Sequence, residues 1–423
     1  MMRPFGILLV VLLLASASRG AIYGVEADGS GEFPTIQAAI DAATDGDVIE
    51  LGDGVFRGDG NRDLTYRGKA ITVRSRGGAP EGCVIDCEGS VSEPHRGFHF
   101  HSGEGPGTVL AGVTIANGHM PAASNEGGGI YCYYGSPTIR ECVFLDNRVG
   151  GRGGGVQSSG GSPAIVRCRF VGNQAHMGGG IFCWGGRPTV HECVFEQNTG
   201  LSGGGMWSLG SQLRVTDCVF RGNLSGSSVA GMINVNGVAR ITGCLFEGNG
   251  DYGSGAGVTC WGGETTIEDC TFYDNGTGVK MEDAAVVTIR RSTFCRNRGT
   301  TVRVGNGCHA TIESTIVAFT TTGYGVSCGE TGTVTLLCCD VYGNLFGDWA
   351  LCIADQYGIN GNICADPLFC DAWSGDLLLD SASPCAAENN PACGRIGAWD
   401  VGCGATPAEA TTWGAIKALY RAE

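Results

Sequence analysis

The sequence predicts an all-β solenoid, a parallel β-helix with three short strands per coil, and three observations lead there. A pattern opening on glycines and an aliphatic residue and closing on Phe-x-x-Asn returns seven times between Gly127 and Asn297. The closing residues are Asn147, Asn173, Asn198, Asn223, Asn249, Asn275 and Asn297, with separations of 26, 25, 25, 26, 26 and 22 residues. A fixed period in this range marks a stacked repeat architecture. Each unit also holds short β-prone runs, such as Ile181–Trp184, Thr189–Val190 and Cys193–Phe195, parted by Gly, Pro, Ser or Asn. No helical apolar period competes with them. Three strands in each unit make one coil, stacked about 4.8 Å above the last.

Within a coil the side-chain alternation of a strand assigns the faces. Cys193 and Phe195 share one face and Val194 takes the other. The phenylalanines at 144, 170, 195, 220, 246, 272 and 294 are therefore expected inside. The triple glycines fit a corner that needs positive φ or close backbone approach. Each closing asparagine fits a second corner, since Asn tolerates the left-handed region and its amide can bond the next Asn along the stack.

Taken in order, residues 1–21 (MMRPFGILLVVLLLASASRGA) read as a secretory signal, with an apolar run from Ile7 to Leu14 followed by small residues. Cleavage is expected after Ala17 or by Ala21, and no later stretch approaches the length of a membrane span. Thr35–Ala43 carries apolar residues at 36, 39, 40 and 43, the spacing of a short amphipathic helix, and Val48–Leu51 follows as a strand. Irregular first coils run through Ile71–Val73, Cys83–Cys87, Gly97–His101 and Val113–Ile115. After Asn297 the period loosens but continues through Ile312–Phe319 and Cys339–Asn344. From Asp366 the composition shifts to a Cys-, Asp- and Pro-bearing stretch ending at Cys403, and 405–423 is a linker and terminal tail.

The GGG-aliphatic and F-x-x-N repeat resembles that of right-handed parallel β-helix proteins with the pectin-lyase-like fold. It is most similar to the repeats of chlamydial-type polymorphic outer-membrane proteins and related secreted bacterial proteins, and the resemblance covers most of the chain. It implies a right-handed β-helix over 22–365, most regular over 127–297. It also implies an N-terminal helix cap within 22–60, because end repeats of a solenoid are atypical, and a disulfide-rich C-terminal cap over 366–404.

Length alone would suggest two or three globular domains, but a solenoid grows without one enlarging core, so one repeat domain with two caps is expected. The formal net charge of −15 argues against nucleic acid and anionic membranes, while calcium or a basic partner is compatible with it. Of 22 cysteines, Cys142, Cys168, Cys193, Cys218, Cys244 and Cys270 stand two residues before the Phe, and Cys132, Cys183 and Cys260 follow the aliphatic after the glycines. Both sets fall on the inward face. They are either small buried apolar residues or disulfides between neighbouring coils, since the strand spacing lies in the bridging range. No C-x-x-C spacing supports zinc.

In enzymes of the pectin-lyase-like fold, polysaccharide lies along the outer face of the strand after the glycine corner. If Ile130, Val156, Ile181, Met206, Met232 and Val258 point inward, that outer face carries Tyr131, Gln157, Phe182, Trp207, Ile233 and Thr259, and then Tyr133, Ser159, Trp184, Leu209, Val235 and Trp261. Lys280, Glu282 and Arg303 continue the rows. Tyr131, Tyr133, Phe182, Trp184, Trp207 and Trp261 are thus candidate ligand-binding residues, because a strip of outward aromatics marks an interaction surface. The bland alternative is that a loop or the C-terminal segment covers them. A lyase would need a base to take the proton α to a uronic carboxylate, often helped by calcium. Lys280 or Arg303 occupies that position, with Glu282 as acid or ligand. The chain lacks the paired aspartates and the Asn-Thr-Asp and Gly-His-Gly signatures of polygalacturonase-like enzymes.

His95, His99 and His101 invite a metal reading because His99 and His101 share a strand face. No carboxylate pair apart from Glu93 accompanies them, so they read as exposed and structurally incidental, and no metal site is expected. The outward carboxylates Glu141, Glu192, Asp217 and Asp269 read as solvated, and the row Val143, Val194, Val219 and Leu245 either packs on a loop or partner or satisfies β-propensity. The leading expectation is an exported protein that recognises polysaccharide or a surface protein along one long face without turnover. A lyase acting on acidic polysaccharide is the alternative, and a structural or passenger rod the third reading.

Overall fold

The computed structural model describes residues 20–403 apart from 122–125, 227–228 and 251–254. The expected signal segment, up to residue 19, and the tail at 405–423 lie outside the described residues. The strands that each coil contributes join three long parallel sheets, of ten, thirteen and twelve strands among the described residues. In the coil closed by Asn198 these strands are Ile181–Trp184, Thr189–His191 and Val194–Glu196 respectively. The chain is a right-handed parallel β-helix.

The register follows the sequence period. Ile130 pairs with Val156, Val156 with Ile181, Ile181 with Met206, Met206 with Met232 and Met232 with Val258, and all six are fully buried. Phe144, Phe170, Phe195, Phe220, Phe246, Phe272 and Phe294 form one continuous column inside. Neighbouring rings lie 4.5–4.8 Å apart and within 9° of parallel. The coil rise sets that separation, so the offset-stacked geometry that aromatic rings favour repeats at every turn.

The asparagines build a second buried column. Each Nδ2 from Asn147 to Asn275 donates to Oδ1 of the next Asn at 2.9–3.1 Å, and its own backbone N–H donates to the same oxygen. The left-handed residue at this corner is the one before the Asn: Asp146 (φ 52°), Gln197 (φ 54°), Asp274 (φ 52°) and Arg296 (φ 59°), with glycine in the other three coils. The sequence expectation put the turn on the Asn itself. The turn must fall one residue earlier, because only then does the amide point inward to join the column.

The same division of labour holds at the cysteine corner. Glu141, Arg167, Glu192, Asp217 and Asp269 carry positive φ, and the next residue is the buried cysteine. These outward side chains are not merely solvated as expected. Arg167 pairs with Glu141 at 2.6 Å, and Arg291 with Asp269 at 3.0 Å. All nine cysteines of the two inward sets are free thiols. Each of the six before the Phe donates its S–H to a backbone carbonyl, as Cys193 Sγ does to His191 O at 3.3 Å. Burial pushes the Cys183 and Cys260 thiols up to about 12, so they stay protonated and pack as small apolar groups.

At the N-terminal end the expected helix runs Ile36–Ala42, and the Thr35 side chain accepts from the Ala38 N–H at 3.3 Å. Ile36, Ala39, Ile40 and Ala43 are buried in the main core. Towards the other end three disulfides form: Cys328–Cys352 lies before the closing segment, Cys338–Cys393 ties that segment to the last coil strands, and Cys370–Cys403 closes it on itself. That segment lies against the outer face of the twelve-stranded sheet. Trp399 Nε1 donates to Thr271 Oγ1 at 2.9 Å, and the Ala398 N–H donates to Thr293 Oγ1 at 2.9 Å.

Candidate functional site

The outer face of the ten-stranded sheet is divided lengthwise. Its first outward row is His99, Tyr131, Gln157, Phe182, Trp207, Ile233, Thr259, Lys280 and Arg303. Two residues further along each strand comes the second row: His101, Tyr133, Ser159, Trp184, Leu209, Val235, Trp261 and Glu282.

The rows differ in exposure because each regular coil spends extra residues between its Asn corner and its glycines. These residues form a further five-stranded sheet of His119–Met120, Arg148–Val149, Gln174–Met177, Thr199–Ser202 and Leu224–Ser225. It acts as a flap whose inner residues Val149 and Ala175 are buried. The chain then doubles back tightly onto the first row. A Cβ on Gly178 (φ 65°) would stand 2.1 Å from the Ile181 carbonyl oxygen and 3.2 Å from the Phe182 Cα, so the fold demands glycine there.

The flap seals much of the first row. Phe182 is completely buried, with the Arg152 guanidinium 5.1 Å above its ring. Gln157, Ile233 and Thr259 are buried, and Trp207 is half-buried with its Nε1 out of solvent and without an acceptor. The expected strip of six aromatics is therefore not one open surface: Phe182 is withdrawn from contact, and Tyr131 and Trp207 are partly covered. The second row stays open. Tyr133, Trp184 and Trp261 are 47%, 52% and 44% exposed, with half-buried Leu209 and Val235 filling the two coils between the tryptophans. Tyr133 and Trp184 are two coils apart and Trp184 and Trp261 three, about 10 and 14 Å at the strand spacing.

At the start of the groove the aromatics continue downward. The His99 ring stacks on His101 at 4.1 Å and on Tyr131 at 5.0 Å, and the Tyr133 and Tyr134 rings meet edge to face at 4.8 Å. Burial pushes His99 down to about 4, helped by His101 and Arg96, so the ring is neutral over the physiological range. His99 is thus a packed member of the aromatic row and not the exposed residue expected. His95 is paired with Asp63 at 2.6 Å.

At the far end the repeat shortens to 22 residues between Asn275 and Asn297. Lys280 meets Glu282 there in an ion pair of 2.8 Å, and Arg303 is exposed on the next strand. The pairing holds Lys280 against a carboxylate instead of leaving it free as a base. Glu282 is bonded to Lys280, and no group of three or more His, Cys, Asp or Glu side chains that could hold a metal occurs among the described residues. No helix among the described residues is long and apolar enough to cross a membrane.

The stacked coils and this long open face define the class. The chain matches the family described as right handed beta helix region over residues 59–199, 112–265 and 205–363, and it belongs to that family. Among solved structures it is similar to the pectate lyase Pel9A, with a TM-score of 0.51 and 16% identity over 91% of this chain and 97% of that one. A mannuronic acid specific polysaccharide family 6 lyase from human gut microbiota aligns with a TM-score of 0.40 and 13% identity over 82% and 86% of the two chains. A rhamnogalacturonan lyase aligns at 0.31 and 11% over 83% and 91%. At these identities the likeness is one of fold. No curated protein matches the chain in sequence.

Proposed function

We propose that this chain is an exported β-helix protein that binds a polysaccharide along the second outward row of the ten-stranded sheet, without turning it over. The observation that carries this reading is the set Tyr133, Trp184 and Trp261. These are three large aromatics in strict register and exposed on one line, with apolar Leu209 and Val235 between the last two. Flat rings at multiples of the coil rise suit an extended chain of sugars, whose ring faces are apolar while their edges carry hydroxyls. A folded protein gains nothing from exposing such residues in series unless something covers them. The ion pair between Lys280 and Glu282 supports binding over turnover, because it engages the amine that a lyase would use as its base. Three disulfides near the C-terminal end support export to an oxidising compartment.

The test is affinity electrophoresis through gels containing neutral or uronate polysaccharides, with ultraviolet absorbance of the same mixtures followed for unsaturated sugar. Retardation by at least one polysaccharide with flat absorbance is expected. Rising absorbance that is lost in Lys280→Ala or Arg303→Ala would establish a lyase instead. Absence of retardation by every polymer would leave a structural rod.

A further inference from the structure

We propose that the cavity between Arg296 and the closing segment is a second binding site, one that takes a carboxylate carried on a single ring of monosaccharide size. The cavity holds about 290 Å³, at the small end of ligand pockets. It lies on the side of the twelve-stranded sheet, away from the groove described above. Phe319 and Phe369 form apolar walls with ring centroids 6.3 Å apart, and the Trp373 ring lies 3.9 Å from the Arg296 guanidinium carbon.

The argument rests on Arg296. Its Nε and Nη1 are both out of solvent and neither has a hydrogen-bond acceptor. A buried, charged donor without an acceptor is costly, and beside a cavity a partner that arrives from outside accounts for it. The two carboxylates lining the cavity do not serve it. Asp366 Oδ1 accepts the Leu368 N–H at 3.0 Å, and Asp371 Oδ1 accepts the Trp373 and Ser374 N–H groups at 3.0 and 3.2 Å. Each is folded back on its own backbone. Stacking on Trp373 satisfies the face of the guanidinium but leaves Nε and Nη1 unmet, and a carboxylate oxygen is a charged acceptor that suits either of them. The phenylalanine walls favour a ligand with an apolar ring face. Trp373 is 75% exposed and tied down through main-chain atoms, with its N–H on Asp371 and its carbonyl accepting from Tyr273 Oη. Its ring is held by the contact with Arg296, so a ligand that pairs with the guanidinium must displace or share that contact.

The experiment is a titration of the full chain with sodium galacturonate and with sodium benzoate, galactose serving as the neutral control. Tryptophan fluorescence and calorimetry are read together. Saturable binding of at least one carboxylate is expected, with galactose at least tenfold weaker, and the acid that binds tells a sugar from an aromatic source. Arg296→Gln is expected to weaken that binding at least tenfold. Trp184→Ala/Trp261→Ala, which empties the groove, is expected to leave it unchanged and so separates the two sites. Trp373→Phe should erase the fluorescence change while keeping the calorimetric signal. The proposal is overturned by no saturable binding in the wild type, by equal affinity for galactose, or by undiminished binding in a folded Arg296→Gln. Should Arg296→Gln not fold, the comparison of galacturonate with galactose on the wild type decides alone.

Discussion

Replacing Asn198 by alanine is expected to destabilise the helix by about 4 kcal/mol, a large effect for one side chain. Asn198 Nδ2 donates to Phe170 O at 2.8 Å and to Asn223 Oδ1 at 3.0 Å, while its Oδ1 accepts from the backbone N–H and the Nδ2 of Asn173, both at 3.0 Å. Alanine removes four hydrogen bonds and leaves their partners in a column where water has no access. Each is worth about 1 kcal/mol net, and stranding a buried partner costs more. Because the coils interact with nearest neighbours, the loss should be felt first in the adjoining coils. Urea denaturation and hydrogen exchange of residues 165–225 check this. A cost below about 1 kcal/mol would mean that the asparagine column is not a principal support.

The second large effect concerns binding. The double substitution Trp184→Ala/Trp261→Ala is expected to weaken polysaccharide affinity by about a hundredfold, since each anchoring aromatic contributes on the order of 1–2 kcal/mol and tenfold corresponds to about 1.4. Both side chains are about half exposed and neither supports the core, so the fold should survive. Trp207→Phe supplies the contrast. Its indole N–H is out of solvent with no acceptor, so losing that group removes an unmet donor. It should leave affinity within about twofold, because this row lies under the flap and contributes no anchor. Affinity electrophoresis on the three proteins separates the rows. Equal losses from Trp207→Phe and the double variant would mean that the flap opens and the whole strip is used.

The coil was legible because its parts are one-dimensional. Phenylalanine, asparagine and glycine recur at the period, and two-residue alternation then assigns every inward side chain from Ile130 to Val258. Two features were not legible. The left-handed residue sits before the Asn, since one residue cannot both turn the chain and send its amide into the interior column. The flap was hidden because its strands, such as Gln174–Met177 and Thr199–Ser202, are short and lack the aliphatic alternation of a core strand. A hint did exist in the drop from 26 to 22 residues after Asn275, where the extra segment is no longer needed. Alternation also could not tell outward from exposed: Phe182 and Trp184 point to the same side of one strand, yet one is sealed and the other open. For the six cysteines before the Phe, the choice between free and bridged depended on the corner geometry, which turns each of those thiols to a carbonyl.

The most direct test of the central claim is hydroxyl-radical footprinting, read residue by residue by mass spectrometry with and without a saturating polysaccharide. Tyr133, Trp184 and Trp261 are expected to be labelled in the free protein and protected in the complex, with Phe182 unlabelled in both. Unchanged labelling of Trp184 and Trp261 at saturation would contradict the account.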